Sequence, residues 1–207
     1  MSEILKEQQA EIKKTASASG EGGKSVGLTS EIPASIIAES ENSLPMVAMK
    51  GLVIFPNIAT SFNVGRPKSL AALNRAQEST KNIFLVTQRD RSIDDPNPQD
   101  IYTVGVVCKI KRMFHFEGNV SVHIEGLYRA KITEYVTTEE YFSVKVAPYE
   151  SIYDDGAELA ACMKLVREKF RALAPSSDDG KDKLERIFAV EDPDVFINIA
   201  TFRSEIS

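Results

Sequence analysis

Short apolar runs separated by Gly, Pro and Asn dominate the chain from Leu44 to about residue 150. This pattern is typical of a compact β domain whose strands pair mostly in antiparallel fashion. One helix is predicted within it, because Arg66-Pro67 places a proline in the first helical turn and Leu70, Leu73 and Ala76 then follow the helical period. Seven strands are predicted, at residues 46–49, 59–64, 81–88, 102–116, 120–127, 130–136 and 141–148.

The stretch VCKIKRMFHFEGNVSVHIEG, residues 107–126, predicts a β-hairpin at the centre of this domain. A three-residue loop at 117–119 would set Phe116 opposite Val120 and Phe114 opposite Val122. The same register sets Lys111 opposite Glu125. We prefer it to a two-residue loop because it pairs apolar with apolar residues and a positive with a negative charge.

After Tyr149 the apolar period becomes helical. Asp154 or Asp155 could cap the first helix and Pro175 ends it. The predicted apolar stripe of this helix consists of Leu159, Met163, Val166, Phe170 and Leu173.

A short helix containing Leu184, Ile187 and Phe188 follows, and Asp192-Pro193 has the cap-then-proline pattern of a further helix start. The apolar stripes of these helices have few predicted partners within the chain. We therefore interpret residues 151–207 as the start of an α-helical subdomain, truncated at its end.

The first 43 residues differ from the rest in composition. All ten phenylalanines and six tyrosines of the chain lie at or after Phe55. A segment rich in Ser, Ala, Gly, Glu and Lys cannot bury enough apolar surface to offset its chain entropy. Residues 1–43 are therefore predicted to be a disordered acidic tail.

Composition and charge exclude several classes of function. The chain has 207 residues and a formal net charge of -5, which argues against sequence-independent binding of nucleic acid. Neither an apolar run of membrane-spanning length nor the pattern of a secretory signal is present, so a cytoplasmic location is expected. Its two cysteines, Cys108 and Cys162, are predicted to be buried, reduced thiols.

Candidate chemistry is sparse. The Gly-Lys-Ser at 23–25 resembles the end of a phosphate-binding loop, but Ala18 stands where its first glycine belongs and no apolar strand precedes it. His115 and His123 are predicted to share one sheet face, without a third metal ligand. Asp94, Asp95 and Asp100 lie in a Pro-rich stretch that predicts a turn. No catalytic residue, bound cofactor or metal site is expected.

A local group of cations was also weighed as a nucleic-acid surface. It consists of Lys109, Lys111, Arg112, Arg129 and Lys131. Interleaved Glu117, Glu125 and Glu134 favour cross-strand pairing over an RNA-binding groove.

The apolar stretch KGLVIFPNIA, residues 50–59, admits two interpretations. It could be a buried strand, which the general burial of apolar runs favours. Alternatively, it is an apolar loop that contacts extended segments of other proteins.

Three stretches of the chain carry a recognisable set of motifs: LPMVAMKGLVIFPNIATSFNVGRPKSLAALNRA, KNIFLVTQRD and DIYTVGVVCKIKRMFHFEGNVSVHIEGLYRAKI. Their most specific motifs are Leu44-Pro45, Phe55-Pro56, VGR at 64–66, YTVGVV at 102–107 and EGLYRAKI at 125–132. In order and spacing, these stretches resemble the N-terminal domain of the Lon protease family. The stretch EDPDVFINIA at 191–200 resembles the start of the family's second N-terminal subdomain more loosely.

The resemblance implies an α+β chain: a mostly antiparallel PUA-like β domain at 44–150 with one inserted helix, followed by part of a helical bundle. It also implies capture of unfolded or damaged proteins for an ATP-dependent Lon-type protease, and help in assembling a homohexamer. The ATPase module, with its ATP and Mg²⁺, and the serine protease with a Ser-Lys dyad would lie downstream. No enzymatic activity is therefore expected of this chain.

For substrate capture, part of the apolar loop should remain accessible, because unfolded clients differ from native proteins in their exposed apolar residues. The predicted substrate-binding surface consists of Leu52, Val53, Ile54, Phe55, Met113 and Phe114. Two alternatives remain: a free-standing adaptor or regulatory protein built on the same domain, and an RNA-binding module, since fold alone does not determine function.

Overall fold

The structure is a computed structural model that describes residues 43–116, 119–137, 140–149, 151–153, 156–172 and 187–205. The predicted tail before Ser43, the predicted caps Asp154 and Asp155 and the predicted helix end at Pro175 lie outside these residues. The strands are β1 (Leu44–Met49), β2 (Ala59–Val64), β3 (Asn82–Thr87), β4 (Val104–Phe116), β5 (Asn119–Thr137) and β6 (Phe142–Pro148). The helices are α1 (Pro67–Glu78), α2 (Ala157–Ala172) and α3 (Pro193–Glu205), with one 3₁₀ turn at Pro98–Asp100.

The six strands form one mixed sheet in the order β2-β5-β4-β3-β1-β6. Because β5 also pairs with β6, the strands β5, β4, β3, β1 and β6 close into a ring, and β2 lies outside it against the first half of β5. The pairing of β1 with β3 is parallel, since the chain returns through β2 and α1 before it enters β3. All other strand pairings are antiparallel, as the sequence predicted.

Alternating side chains divide the apolar residues between two cores. The inner core, inside the ring, receives residues from all five ring strands. It consists of Leu44, Met46, Ala48, Phe84, Val86, Ile101, Val107, Tyr128, Ala130, Ile132, Val144 and Val146. The outer core lies between the sheet and α1, and consists of Val47, Met49, Ile54, Phe62, Val64, Ala72, Leu73, Ala76, Ile83, Leu85, Val106, Cys108, Ile110, Val120, Val122 and Ile124.

Residues 119–137 form a single strand, so the prediction of two strands at 120–127 and 130–136 is wrong. The first half of β5 pairs with β2 and the second half pairs with β6, while β4 pairs with residues of both halves on the other side. At the junction, Val107 pairs with Tyr128 and Cys108 pairs with Gly126, which leaves Leu127 as an extra residue. A β-bulge bends a strand without ending it, and the strand pattern alone does not distinguish this bend from a turn.

The predicted register of the β4–β5 hairpin is also wrong. Phe116 pairs with Asn119 and Phe114 with Ser121, one residue away from the predicted partners. A shift between Ile110 and Arg112 makes Lys111 the extra residue, so both Ile110 and Met113 can reach the outer core. The predicted charge pair is nevertheless present, because Lys111 Nζ lies 2.5 Å from Glu125 Oε2.

The start of α3 agrees with the sequence prediction. The carboxylate of Asp192 accepts a hydrogen bond from the backbone N–H of Val195 at 3.0 Å, and Pro193 occupies the first helical position. Phe196 and Ala200 are buried, with the guanidinium of Arg167 over the Phe196 ring at 5.0 Å. Part of this helical stripe therefore has partners within the chain, and the interpretation of residues 151–207 as the start of a longer subdomain stays a prediction.

The two cysteines are both free, but only one is buried. Cys108 lies in the outer core, where burial raises the pKa of its thiol. Cys162 is exposed on α2, so the prediction that it is buried is wrong. Among the described residues, none of the helices has the length and apolar character needed to cross a membrane.

Gly126 holds the apolar loop against the sheet. Its backbone N–H donates to the carbonyl of Ile58 and its carbonyl accepts from the N–H of Asn57, both at 2.9 Å. Asn57 and Ile58, which precede β2, thus both oppose Gly126, and Asn57 has a left-handed φ of 61°, as the first residue of a G1 bulge does. A Cβ built on Gly126 would overlap the carbonyl oxygen of Phe55 and lie 3.2 Å from the Cα of Pro56.

We therefore expect Gly126→Ala to lower the free energy of unfolding by about 1–3 kcal/mol, because backbone atoms must shift to admit the methyl group. Gly65→Ala is the control, since its Cβ would meet the movable side-chain amide of Asn119 rather than backbone. Urea unfolding followed by circular dichroism measures both. Equal losses for the two variants would contradict a tight backbone contact at Gly126.

Alkylation should distinguish the exposed thiol of Cys162 from the buried thiol of Cys108. At pH 8 we expect iodoacetamide to label Cys162 in the folded chain and Cys108 only after denaturation, because burial raises the pKa of Cys108 and blocks access to it. Mass spectrometry counts the labels, and Cys162→Ser provides the unlabelled control. Equal labelling rates in the folded chain would contradict the burial of Cys108.

Candidate functional site

The loop between β1 and β2 contains four of the predicted surface residues, and the structure places them at different depths. Ile54 is 8% exposed and belongs to the outer core. Leu52 and Phe55 are half-buried, and the carbonyl of Leu52 accepts a hydrogen bond from Thr87 Oγ1 at 2.8 Å. Val53 is 42% exposed, so it offers the most accessible apolar side chain of this loop.

The other two predicted residues lie on opposite faces of β4. Met113 is half-buried and packs against the outer core, beside its strand partner Val122. Phe114 pairs with Ser121 and points to the other face, where it is 53% exposed. The structure thus brings Leu52, Ile54 and Met113 to the outer core and leaves Phe114 on a separate surface.

Phe116 is the surface residue that the sequence analysis missed. It follows Phe114 by two residues, so both rings project from the same face of β4, and Phe116 is 65% exposed. Their strand partners, Ser121 and Asn119, are too small to cover them. We call Phe114 and Phe116 the aromatic tip. The two-residue spacing of the phenylalanines in MFHF, residues 113–116, indicates that both rings lie on one face of the strand. The predicted register, however, placed both rings opposite apolar partners.

The β1–β2 cavity, of about 390 Å³, lies beside the loop. It separates the end of β1 from the end of β2, and α1 contributes Ser69. Its apolar lining comes from Val47, Met49, Leu52, Phe62 and Val64. A second cavity of about 360 Å³ adjoins it, and its lining includes Met46, Pro67, Pro96 and Phe142.

Arg66 lies between the two cavities and lines both. Its guanidinium donates hydrogen bonds to the carbonyls of Ala48 and Asp94 and to Gln88 Oε1. Partial burial lowers the pKa of Arg66, and the carboxylates of Asp94 and Asp95 oppose that shift. The guanidinium therefore has a structural role that joins β1 to the 89–97 loop.

The acidic residues of the Pro-rich stretch form ion pairs as well as a turn. Lys50 Nζ pairs with Asp94, and this hydrogen bond lowers the pKa of the Asp94 carboxyl. Lys68 Nζ pairs with Asp95 at 2.6 Å. Asp100 accepts from the backbone N–H of Asn97 at 2.9 Å in a capping box. The two ion pairs connect the 89–97 loop to the β1–β2 loop through Lys50 and to α1 through Lys68.

The histidines lie apart, which corrects the prediction that they share a face. His123 pairs with Arg112 on the solvent face, where its Nδ1 lies 2.9 Å from Ser61 Oγ. His115 shares the face of Met113 instead. Within the described ranges, no three His, Cys, Asp or Glu side chains come together in a way that could hold a metal ion.

The basic side chains are also distributed among separate partners. Lys111 pairs with Glu125, Lys109 Nζ donates to the Thr80 carbonyl at 2.7 Å, and Arg129 donates to Asn198 Oδ1 at 2.8 Å. Cross-strand and tertiary contacts therefore account for three members of the predicted basic group.

Comparison with known proteins identifies the family. Residues 43–205 match the model of the ATP-dependent protease La (LON) substrate-binding domain. Lon protease of Clostridium acetobutylicum is 33% identical over 162 residues, which are 76% of this chain and 21% of that protein. Lon protease 1 of Bacillus subtilis is 37% identical over 133 residues, or 64% of this chain and 17% of that protein.

The chain thus spans about a fifth of the length of these curated relatives. Among solved structures, the N-terminal domain of a Mycobacterium avium complex Lon protease has a TM-score of 0.63 at 15% identity. The match covers 80% of this chain and 85% of that one, and it shows the shared fold. Together, the family model and the relatives show that this chain belongs to the substrate-binding domain family of the ATP-dependent protease La (LON).

Proposed function

We propose that this chain recognises unfolded or damaged polypeptides as substrates for a Lon-type protease. The observation that carries this proposal is the aromatic tip, two phenylalanines more than half exposed on a domain of the substrate-binding family. Val53 adds a third exposed apolar side chain at the loop. The proposal gives this chain the recognition step and no catalytic residue.

Exposed apolar side chains distinguish unfolded from native proteins, since folding buries most of them. Phe114 and Phe116 together present about 200 Å² of apolar surface, because a phenylalanine has about 150–250 Å² to bury. At about 25 cal/mol per Å², covering this surface contributes about 5 kcal/mol before the entropic losses of association. A single copy should therefore bind weakly.

Weak single sites become effective when several copies act on one polypeptide, because the later contacts are intramolecular. We therefore propose that the complete protein self-associates, as in a hexameric ring, and that several aromatic tips contact one client. An adaptable surface of this kind also suits many partners of unrelated sequence.

The first experiment measures the fluorescence anisotropy of a labelled, reduced and carboxymethylated polypeptide titrated with the chain. We expect Phe114→Ser combined with Phe116→Ser to weaken binding at least fivefold, because both exposed rings are lost. Stability should change by less than about 0.5 kcal/mol, since these are surface positions.

Ile152→Ser is the matched control, because Ile152 is 99% exposed and lies outside the proposed surface. The native form of the same polypeptide and a short RNA serve as competing ligands. An equal loss of affinity in Ile152→Ser would show nonspecific apolar binding. Binding of the RNA with a steep salt dependence would support a nucleic-acid module instead.

A further inference from the structure

Among the described strands, none pairs with the outer edge of β2. Within the part of the chain that the structure describes, β2 pairs with β5 on one side and has no strand on the other. Its sequence, ATSFNV, contains neither a charged residue nor a proline. Natural proteins usually protect such edges with lysine, proline or a covering segment, since open edges recruit further strands.

The hydrogen-bond pattern determines which groups of β2 point outward. Gly126 exchanges hydrogen bonds with Asn57 and Ile58, which places a hydrogen-bonded pair at Ile58. In an antiparallel ladder such pairs alternate with non-hydrogen-bonded ones. In this register, the backbone groups of Thr60, Phe62 and Val64 point towards β5. The backbone groups of the alternate residues, Ala59, Ser61 and Asn63, point towards the open edge.

An independent contact on β4 supports the same alternation. The N–H of Ile110 donates to the Lys81 carbonyl at 2.8 Å, on the β3 side of β4. Lys109 therefore directs its backbone groups towards its β5 partner Glu125. The backbone groups of Glu125 therefore point towards β4 and away from β2, so Glu125 and its β2 partner Ala59 form a non-hydrogen-bonded pair.

Across the β1–β2 cavity, the end of β1 pairs with β3 alone among the described strands. Strand β6 pairs only with Leu44, Pro45 and Met46 of β1, and its pairing does not extend to Ala48. The carbonyl of Met49 accepts from the N–H of Gln88 on the β3 side, and the carbonyl of Ala48 accepts from the Arg66 guanidinium instead of a strand. The cavity thus lies between two strand ends that do not pair with each other.

Side-chain chemistry complements these backbone groups. Phe62 and Val64 of β2, and Val47 and Met49 of β1, line the cavity of about 390 Å³, within the range of ligand pockets. A strand added along β2 would direct alternate side chains towards the apolar lining. Backbone hydrogen bonds do not depend on the sequence of the added strand, and one apolar pocket selects only for an apolar side chain.

We propose that the outer edge of β2 binds an extended segment of the unfolded polypeptide as an additional β-strand. The backbone groups of Ala59, Ser61 and Asn63 pair with this segment, and one of its apolar side chains enters the β1–β2 cavity. This inference rests on the proposed function and adds how the client is bound. A native protein, whose backbone groups are already paired, is rejected.

The test uses the anisotropy titration with the labelled unfolded polypeptide and the variant Ser61→Pro. Proline is tolerated at an edge position whose N–H points away from the sheet, but it removes that donor and obstructs an added strand. We expect at least a tenfold loss of affinity. Ser61→Ala is the matched control, because it removes the contact with His123 but keeps the N–H, and its affinity should stay within twofold of wild type.

Asn63→Pro repeats the test at the next outward-facing position, and circular dichroism checks the folding of each variant. Amide hydrogen exchange on the wild-type chain needs no variant: the client should protect the N–H groups of Ala59, Ser61 and Asn63. Unchanged affinity in the folded proline variants, or unchanged exchange at all three amides, would overturn strand addition while leaving client binding intact.

Two further outcomes would also overturn the inference. If the wild-type chain does not bind the unfolded polypeptide, both the proposed function and strand addition by a client fail. If sedimentation shows a dimer that Ser61→Pro converts to a monomer, the edge of β2 binds a second copy of the chain instead of a client.

Discussion

The bend in β5 is the constraint on which the rest of the structure depends. Nineteen residues form one strand, and the extra residue Leu127 divides it into halves with different neighbours. The second half closes the ring by pairing with β6, while the first half pairs with β2. A straight β5 could not do both. The same bend therefore creates the inner core and leaves β2 as an edge strand.

The contact at Gly126 ties the apolar loop to this bend. Gly126 lies next to Leu127, and its missing side chain lets the Phe55-Pro56 backbone approach β5 closely. The loop therefore places Ile54 in the outer core and leaves Val53 exposed. The stretch is therefore a loop and not a buried strand, with Ile54 in the core and Val53 on the accessible surface. Its contact with other proteins stays a prediction.

Two distinct surfaces follow from this architecture. The aromatic tip offers side-chain contacts, and the edge of β2 offers backbone hydrogen bonds beside an apolar cavity. The aromatic tip lies on β4 and the open edge belongs to β2, the two strands that flank β5. An extended polypeptide can use both kinds of contact because it exposes apolar side chains and unpaired backbone together. A folded protein exposes little of either.

The sequence by itself determined every strand except β5, together with α1 and the start of α3, because alternation, Pro67 and the Asp192-Pro193 pair act locally. It also predicted the charge pair of Lys111 with Glu125 and placed Phe114 in the candidate surface. Only the tertiary structure decided the register of the hairpin, the continuity of β5 and the exposure of Phe116. Bulges at Lys111 and Leu127 decide these features, and each shifts the alternation by one residue. A one-residue shift moves a side chain to the opposite face, and which face is buried depends on strands distant in the chain.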